Sequence, residues 1–209
     1  TFINENLDLE IKVSSMLKRY IKITKRTPKG VESNDVKILE EYLSNIKLDS
    51  YLKVRTSMIL KILLYSGARR GKLEALKTKD FIEDGKLFII NTIGKGNKER
   101  ILYTPINYIQ KELEFYKKHN IKHIAATKTG KVMDGSHIYR FLNGIYKKIG
   151  IKYSGAHILR HTFAKSMLAK DVNIVTVQEL LGHASIQTTM IYANPNQREV
   201  QKAYLDTLR

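Results

Sequence analysis

The sequence predicts a mainly α-helical domain with a small antiparallel β-sheet. Three observations predict it. Most of the chain beyond residue 35 repeats its apolar residues at three- and four-residue spacing, the period of a helix with one buried face. One stretch, 80–104, changes to short apolar runs broken by glycine turns, the pattern of hairpins. Gly67, Gly150 and Gly182 each stand just past a helical run, where helices commonly close.

Residues 1–30 read as an arm or linker. Leu17, Tyr20 and Ile21 could line one helix face, Lys18, Arg19, Lys22, Lys25 and Arg26 make its end basic, and Thr27-Pro28-Lys29-Gly30 breaks it. In 36–46 the residues Val36, Leu39, Tyr42, Leu43 and Ile46 keep helical spacing, with Asn34 or Asp35 as cap. A second helix, 50–66, is apolar enough around Leu52, Ile59, Ile62 and Leu63 for deep burial, and Gly67 ends it. Asp84-Gly85 reads as a two-residue hairpin turn between 80–83 and 86–90. Residues 93–100 make a second turn into a strand at 101–105. A helix over 106–119 follows, with Ile109, Leu113 and Tyr116 on one face. Thr127-Lys128-Thr129-Gly130-Lys131 is a basic turn, and Asp134 or Ser136 caps a helix that runs to Ile149. Tyr139, Arg140, Lys147 and Lys148 on that helix are candidates for phosphate contacts. Phe163, Met167 and Leu168 should anchor the next helix, and Val177, Leu180 and Leu181 the one after. Ser185 opens a short helix ending near Tyr192, Asn194-Pro195-Asn196 breaks the chain, and 197–209 reads as a last helix with Val200, Tyr204 and Leu208 in one stripe.

Composition narrows the function classes. The 209 residues carry a formal net charge of +17, which points to a polyanionic partner, nucleic acid first. The lysines are spread along the chain, so charge alone locates no groove. Cysteine is absent, which removes disulfides, zinc-thiolate sites and cysteine nucleophiles together. His119 and His123 are four apart but have no third ligand nearby, so they read as surface residues and no metal site is expected. No apolar run approaches the length of a bilayer span and nothing resembles a signal peptide, so the expectation is a soluble protein of the cytoplasm, with no membrane partner. The chain opens on Thr1 rather than methionine, and the expectation is a piece of a longer protein.

The chemistry gathers in 157–193. His157 and Arg160 lie one helical turn apart and should share a face. His183 follows Gly182, and Tyr192 comes nine residues later. Two imidazoles, a guanidinium and a phenol are what an enzyme needs if a tyrosine attacks a phosphodiester. His161, beside Arg160, faces a different side and reads as a core or backbone-bonded histidine.

His157-Ile158-Leu159-Arg160-His161, then Leu181-Gly182-His183, then Tyr192, resembles the second active-site box of the tyrosine recombinases, the phage-integrase and Xer family. Ser66-Gly67-Ala68-Arg69-Arg70-Gly71-Lys72-Leu73 is similar to the family's first box, and the resemblance places its catalytic arginine at Arg69. Gly94-Lys95-Gly96-Asn97-Lys98-Glu99-Arg100 is similar to the hairpin that bears the family's catalytic lysine, here Lys95. A P-loop reading of the same glycines fails, because no Ser or Thr follows the lysine and no helix follows the loop. One departure stands out: Lys72 occupies the place of a glutamate that backs the arginine, and the expectation is that its amine turns to solvent or DNA rather than packing against the Arg69 guanidinium.

The resemblance covers about 31–209 and implies a tyrosine-recombinase catalytic domain, with the 1–30 arm as the tail of a preceding core-binding domain. It implies cofactor-free and metal-free transesterification of double-stranded DNA. Tyr192 would attack the scissile phosphate, Arg69 and Arg160 would clamp its oxygens, and Lys95 would protonate the leaving oxygen. His157 would help to deprotonate the tyrosine and His183 would bond the phosphate. The cationic cluster would ease a phenol whose ordinary pKa is about 10. It further implies a tetrameric synapse on DNA, with the 197–209 helix exchanged between protomers, in the nucleoid. The rival readings are a type IB topoisomerase and a DNA-binding module that has lost activity.

Overall fold

The structure, a computed structural model, describes residues 33–93, 99–152 and 155–193. The 1–30 arm, Lys95 and the 197–209 helix lie outside the described residues. The order is α1 (Ser33–Asn45), α2 (Tyr51–Ser66), α3 (Arg70–Ala75), β1 (Phe81–Asp84), β2 (Leu87–Ile93), β3 (Glu99–Pro105), α4 (Ile106–Lys118), α5 (Gly135–Ile149), α6 (His157–Leu168), α7 (Ile174–Leu181) and α8 (Gln187–Met190). The mainly helical class with one small antiparallel sheet is what the sequence predicts. No helix among the described residues is long and apolar enough to cross a membrane.

Helix α2 is the axis of the core. Val54, Met58, Ile59, Leu60, Ile62 and Leu63 are wholly buried. A helix apolar on all sides must be wrapped by others, and α4, α6 and β3 pack on it. Each such side chain contributes about 1.5–3 kcal/mol on burial. The core also holds one carboxylate: Glu112 of α4 accepts from Ser57 Oγ at 2.5 Å and Lys61 Nζ at 2.6 Å, both on α2. That pairing is what makes a buried charge tolerable.

Two helix ends set the site. Gly67 closes α2 at φ +63°, and a Cβ there would stand 2.6 Å from the Phe163 ring. Glycine is therefore needed both for the left-handed turn and for the approach of α6. The turn delivers Arg69 to the start of α3. The start of α6 is pinned through Gly155, whose N–H donates to Asn143 Oδ1 (2.9 Å) and whose carbonyl accepts from Tyr146 Oη (3.1 Å), both on α5.

The sheet is a meander, β1-β2-β3, all antiparallel. Asp84 pairs with Leu87, so the two-residue turn is Gly85-Lys86 and not Asp84-Gly85. Gly85, at φ +58°, takes the first turn position. In β3, Leu102 and Thr104 face the core while Ile101 and Tyr103 are exposed. Arg100 shares the parity of Leu102 and Thr104, so the period of two aims it inward. Other boundaries shift slightly: α1 begins at Ser33, which leaves Asn34 and Asp35 inside its first turn rather than capping it. Asp134 does cap α5, accepting from the His137 N–H at 2.8 Å, and Gly150 ends it at φ +80°.

Candidate active site

Arg160 is buried, 5% exposed. Its Nη1 donates to the carbonyl of Gly67 and its Nη2 to that of Leu181, each at 2.6 Å. Both carbonyls belong to helix C-termini, which carry unpaired acceptors and partial negative charge. One guanidinium therefore ties the end of α2 to the end of α7. Arg69 Nη2 donates to the next carbonyl, Gly182, at 3.2 Å. Arg100 Nη1 donates to the same oxygen. Three arginines from three separate parts of the chain thus converge on the end of α7.

Their mutual repulsion is real. Burial, then the charges of Arg69 and Arg100 opposed by Tyr192, pushes the Arg160 pKa down to about 10. It stays charged at neutral pH all the same. Burial and then Arg100 lower that of Arg69. Arg69, Arg100 and Arg160 line an open cleft of about 530 Å³ together with Lys72, and Glu179 is its one acidic lining residue. Lys72 lines the same open cleft, near enough for the charges of Arg100 and Arg69 to bear on it. Burial, then Arg100, then Arg69 lower its pKa. A cleft lined by so many cations suits an anion, a phosphate group among them.

His183 is buried, with Nδ1 2.7 Å from Thr189 Oγ1. Its N–H donates to Gln178 O (3.0 Å) and its carbonyl accepts from Gln178 Nε2 (3.0 Å), so the turn after α7 is held from both sides. Burial, then the charges of Arg160, Arg69, Arg100 and His161, pushes its pKa down to about 4. The ring is neutral at pH 7.

Tyr192 follows α8, half-buried between two imidazoles. The His161 ring meets it edge-on at 5.1 Å between centroids, and the His183 ring stacks at 6.3 Å and 21°. Its phenol pKa lies above the usual value, because burial outweighs the downward pull of Arg160 and Arg69. The expected easing by the cationic cluster is present but is the smaller effect in the DNA-free protein. Ionising this phenol near neutral pH would therefore need a base beside it.

His157 and Arg160 share a helix but not an environment: His157 is exposed at the first turn of α6, while Arg160 is buried. His161, read from sequence as a core or backbone-bonded histidine, instead packs on Tyr192 with a buried Nδ1 that has no hydrogen-bond partner. His123 also departs from a simple surface residue, being half-buried with an unpartnered Nδ1. Among the described residues no group of three metal-ligating side chains occurs.

A family model described as the phage integrase family matches residues 30–199. The chain belongs to the phage integrase family. The tyrosine recombinase XerH of Campylobacter jejuni is 32% identical over 177 residues, which are 75% of this chain and 49% of that protein. The tyrosine recombinase XerA of Saccharolobus solfataricus is 31% identical over 194 residues, 91% of this chain and 63% of that one. The chain therefore spans about half to two thirds of these relatives. Among solved structures, XerH bound to its difH substrate before cleavage superposes with a TM-score of 0.74 at 25% identity, covering 85% of this chain and 53% of that one. For this phage integrase family member the fold is thus that of recombinase catalytic domains.

Arg100 escaped the sequence reading, although a charged residue at an inward β-position was a signal. For His161 nothing in the sequence signalled the contact with Tyr192, thirty-one positions away.

Proposed function

We propose that this chain is the catalytic part of a tyrosine-type site-specific recombinase that cuts and rejoins double-stranded DNA through a 3′-phosphotyrosyl intermediate. The observation that carries the proposal is the convergence of Arg69 and Arg160 on the end of α7, with His183 and Tyr192 in the same neighbourhood. Arg69 and Arg160 clamp the non-bridging oxygens and offset charge that builds in the transition state. Neutral His183 bonds the phosphate, and His157 helps to take the phenol proton. The Tyr192 Oη–P bond forms as the P–O5′ bond breaks, and Lys95 supplies a proton to the 5′-oxygen. The bond energy is kept in the phosphotyrosine, so no nucleotide cofactor or metal is needed. Trapping a covalent protein–DNA adduct on a nicked suicide substrate tests the reading. Relaxation of supercoils by a lone protomer, with no recombination of paired sites, would favour a type IB topoisomerase.

Lys95→Ala should slow cleavage of an ordinary 5′-oxygen leaving group by about 10²–10⁴-fold. A 5′-bridging sulfur leaves without a proton, and with it the variant should cleave near the parent rate. Equal damage on both substrates would make Lys95 a binding residue.

The same proposal has four protomers in a synapse on paired sites within the nucleoid, each lending its 197–209 helix to a neighbour. A chain truncated after Asn196 should stay folded and lose cooperative recombination. A large fall in melting temperature of the dilute truncated protein would assign the helix to its own core.

A further inference from the structure

Arg100 stands outside the residues given roles above, yet its side chain has a defined task. The Thr92–Arg100 pair joins β2 to β3, and Thr92 Oγ1 donates to the Arg100 carbonyl at 3.0 Å, so the backbone is fixed. Inward parity carries the guanidinium to the Gly182 carbonyl. That carbonyl and the His183 N–H belong to one planar peptide unit. Holding its oxygen, while Gln178 holds its N–H, fixes the plane from both edges.

Gly182 is shaped for this contact. It closes α7 at φ +60°, and a Cβ there would collide with the Arg100 guanidinium. A side chain at 182 would thus push the guanidinium off the carbonyl. Arg69 alone would remain on that oxygen, at 3.2 Å. Arg100 pairs with Thr92 near the open end of the β2–β3 ladder, so one residue joins that hairpin to the turn bearing His183.

We infer that Arg100 is a positioning residue for His183, locking the Gly182–His183 peptide to the β2–β3 hairpin so that the imidazole is held at the phosphate site. The inference rests on the recombinase reading for its catalytic consequence, though not for the contact itself. Arg100 acts through the peptide and through its charge. It is one of four groups whose charge bears on His183, with Arg160, Arg69 and His161.

The test uses Arg100→Met, which removes fork and charge, and Arg100→Lys, which keeps the charge. Single-turnover adduct formation on a suicide DNA substrate should slow by about 10–100-fold in R100M, the scale of a misplaced active-site group, and recover in part in R100K. In a His183→Gln background R100M should cost no more than about 3-fold further, since the two act as one unit. In DNA-free protein, NMR titration of the His183 imidazole should move upward from about 4 in R100M and stay near the parent value in R100K. Should R100M fail to fold, Arg100→Gln carries the same comparisons. Fully multiplicative losses with His183→Gln would overturn the inference and place Arg100 on the phosphate in its own right. A His183 titration unmoved in R100M would overturn it as well. If the parent forms no adduct, the recombinase reading fails, and the titration alone decides the link between Arg100 and His183.

Discussion

Tyr192→Phe is expected to bind DNA within about 2-fold of the parent and to form no covalent adduct, a loss of more than about 10⁴-fold in cleavage. Only the hydroxyl goes. The edge-on contact with His161 and the stacked contact with His183 are made by the ring and persist in phenylalanine. The second core cluster, where Tyr192 packs beside Phe163, Val177 and Leu181, keeps its apolar surface. Binding is set by the cations, which are untouched. Denaturing gels of a labelled suicide substrate read the adduct directly. An adduct with the phenylalanine variant would show that another residue is the nucleophile. The raised phenol pKa sharpens the expectation for the parent. With a phenol that burial keeps protonated, cleavage should speed up with pH across the neutral range, because deprotonation becomes easier as pH rises.

Much of the fold could be read from sequence because single residues decide it. Gly67, Gly150 and Gly182 end α2, α5 and α7 in the left-handed conformation, and only glycine adopts that cheaply. Asp134 caps α5 as its position before the helix requires. The hairpin was misplaced by one residue because Gly85 can serve at either turn position, and the β1–β2 pairing chose the first. At the site, Arg69, Arg160, His183 and Tyr192 come together although 123 positions separate the first from the last, and only the family resemblance linked Arg69 to the rest. Burial was not legible. Spacing put His157 and Arg160 on one face, but the helix begins at His157, so the histidine is left at an open end while Arg160 is covered. The contacts of Arg100 and His161 depend on packing between distant segments, which a local pattern does not encode.

Arg160→Met is expected to lose both activity and stability, by separable routes. The guanidinium satisfies the Gly67 and Leu181 carbonyls at 2.6 Å each. Removing it leaves two buried acceptors short of a donor, a cost of about 1–3 kcal/mol for each group. Two effects oppose that cost. The remaining cations Arg69 and Arg100 repel less, and a buried charge no longer needs to be desolvated. The net expectation is a loss of about 2 kcal/mol, read as a lower urea midpoint with unchanged slope. Cleavage should fall by about 10³-fold at temperatures where the variant is still folded, because a donor aimed at the transition-state oxygens is gone. Arg160→Lys separates the two. It keeps the charge near the phosphate, but one ammonium is a poor match for two carbonyls on different helices, so stability should remain low while part of the activity returns. An Arg160→Met protein as stable as the parent would mean that the ends of α2 and α7 do not depend on this tie. Cleavage at the parent rate would remove Arg160 from the phosphate clamp.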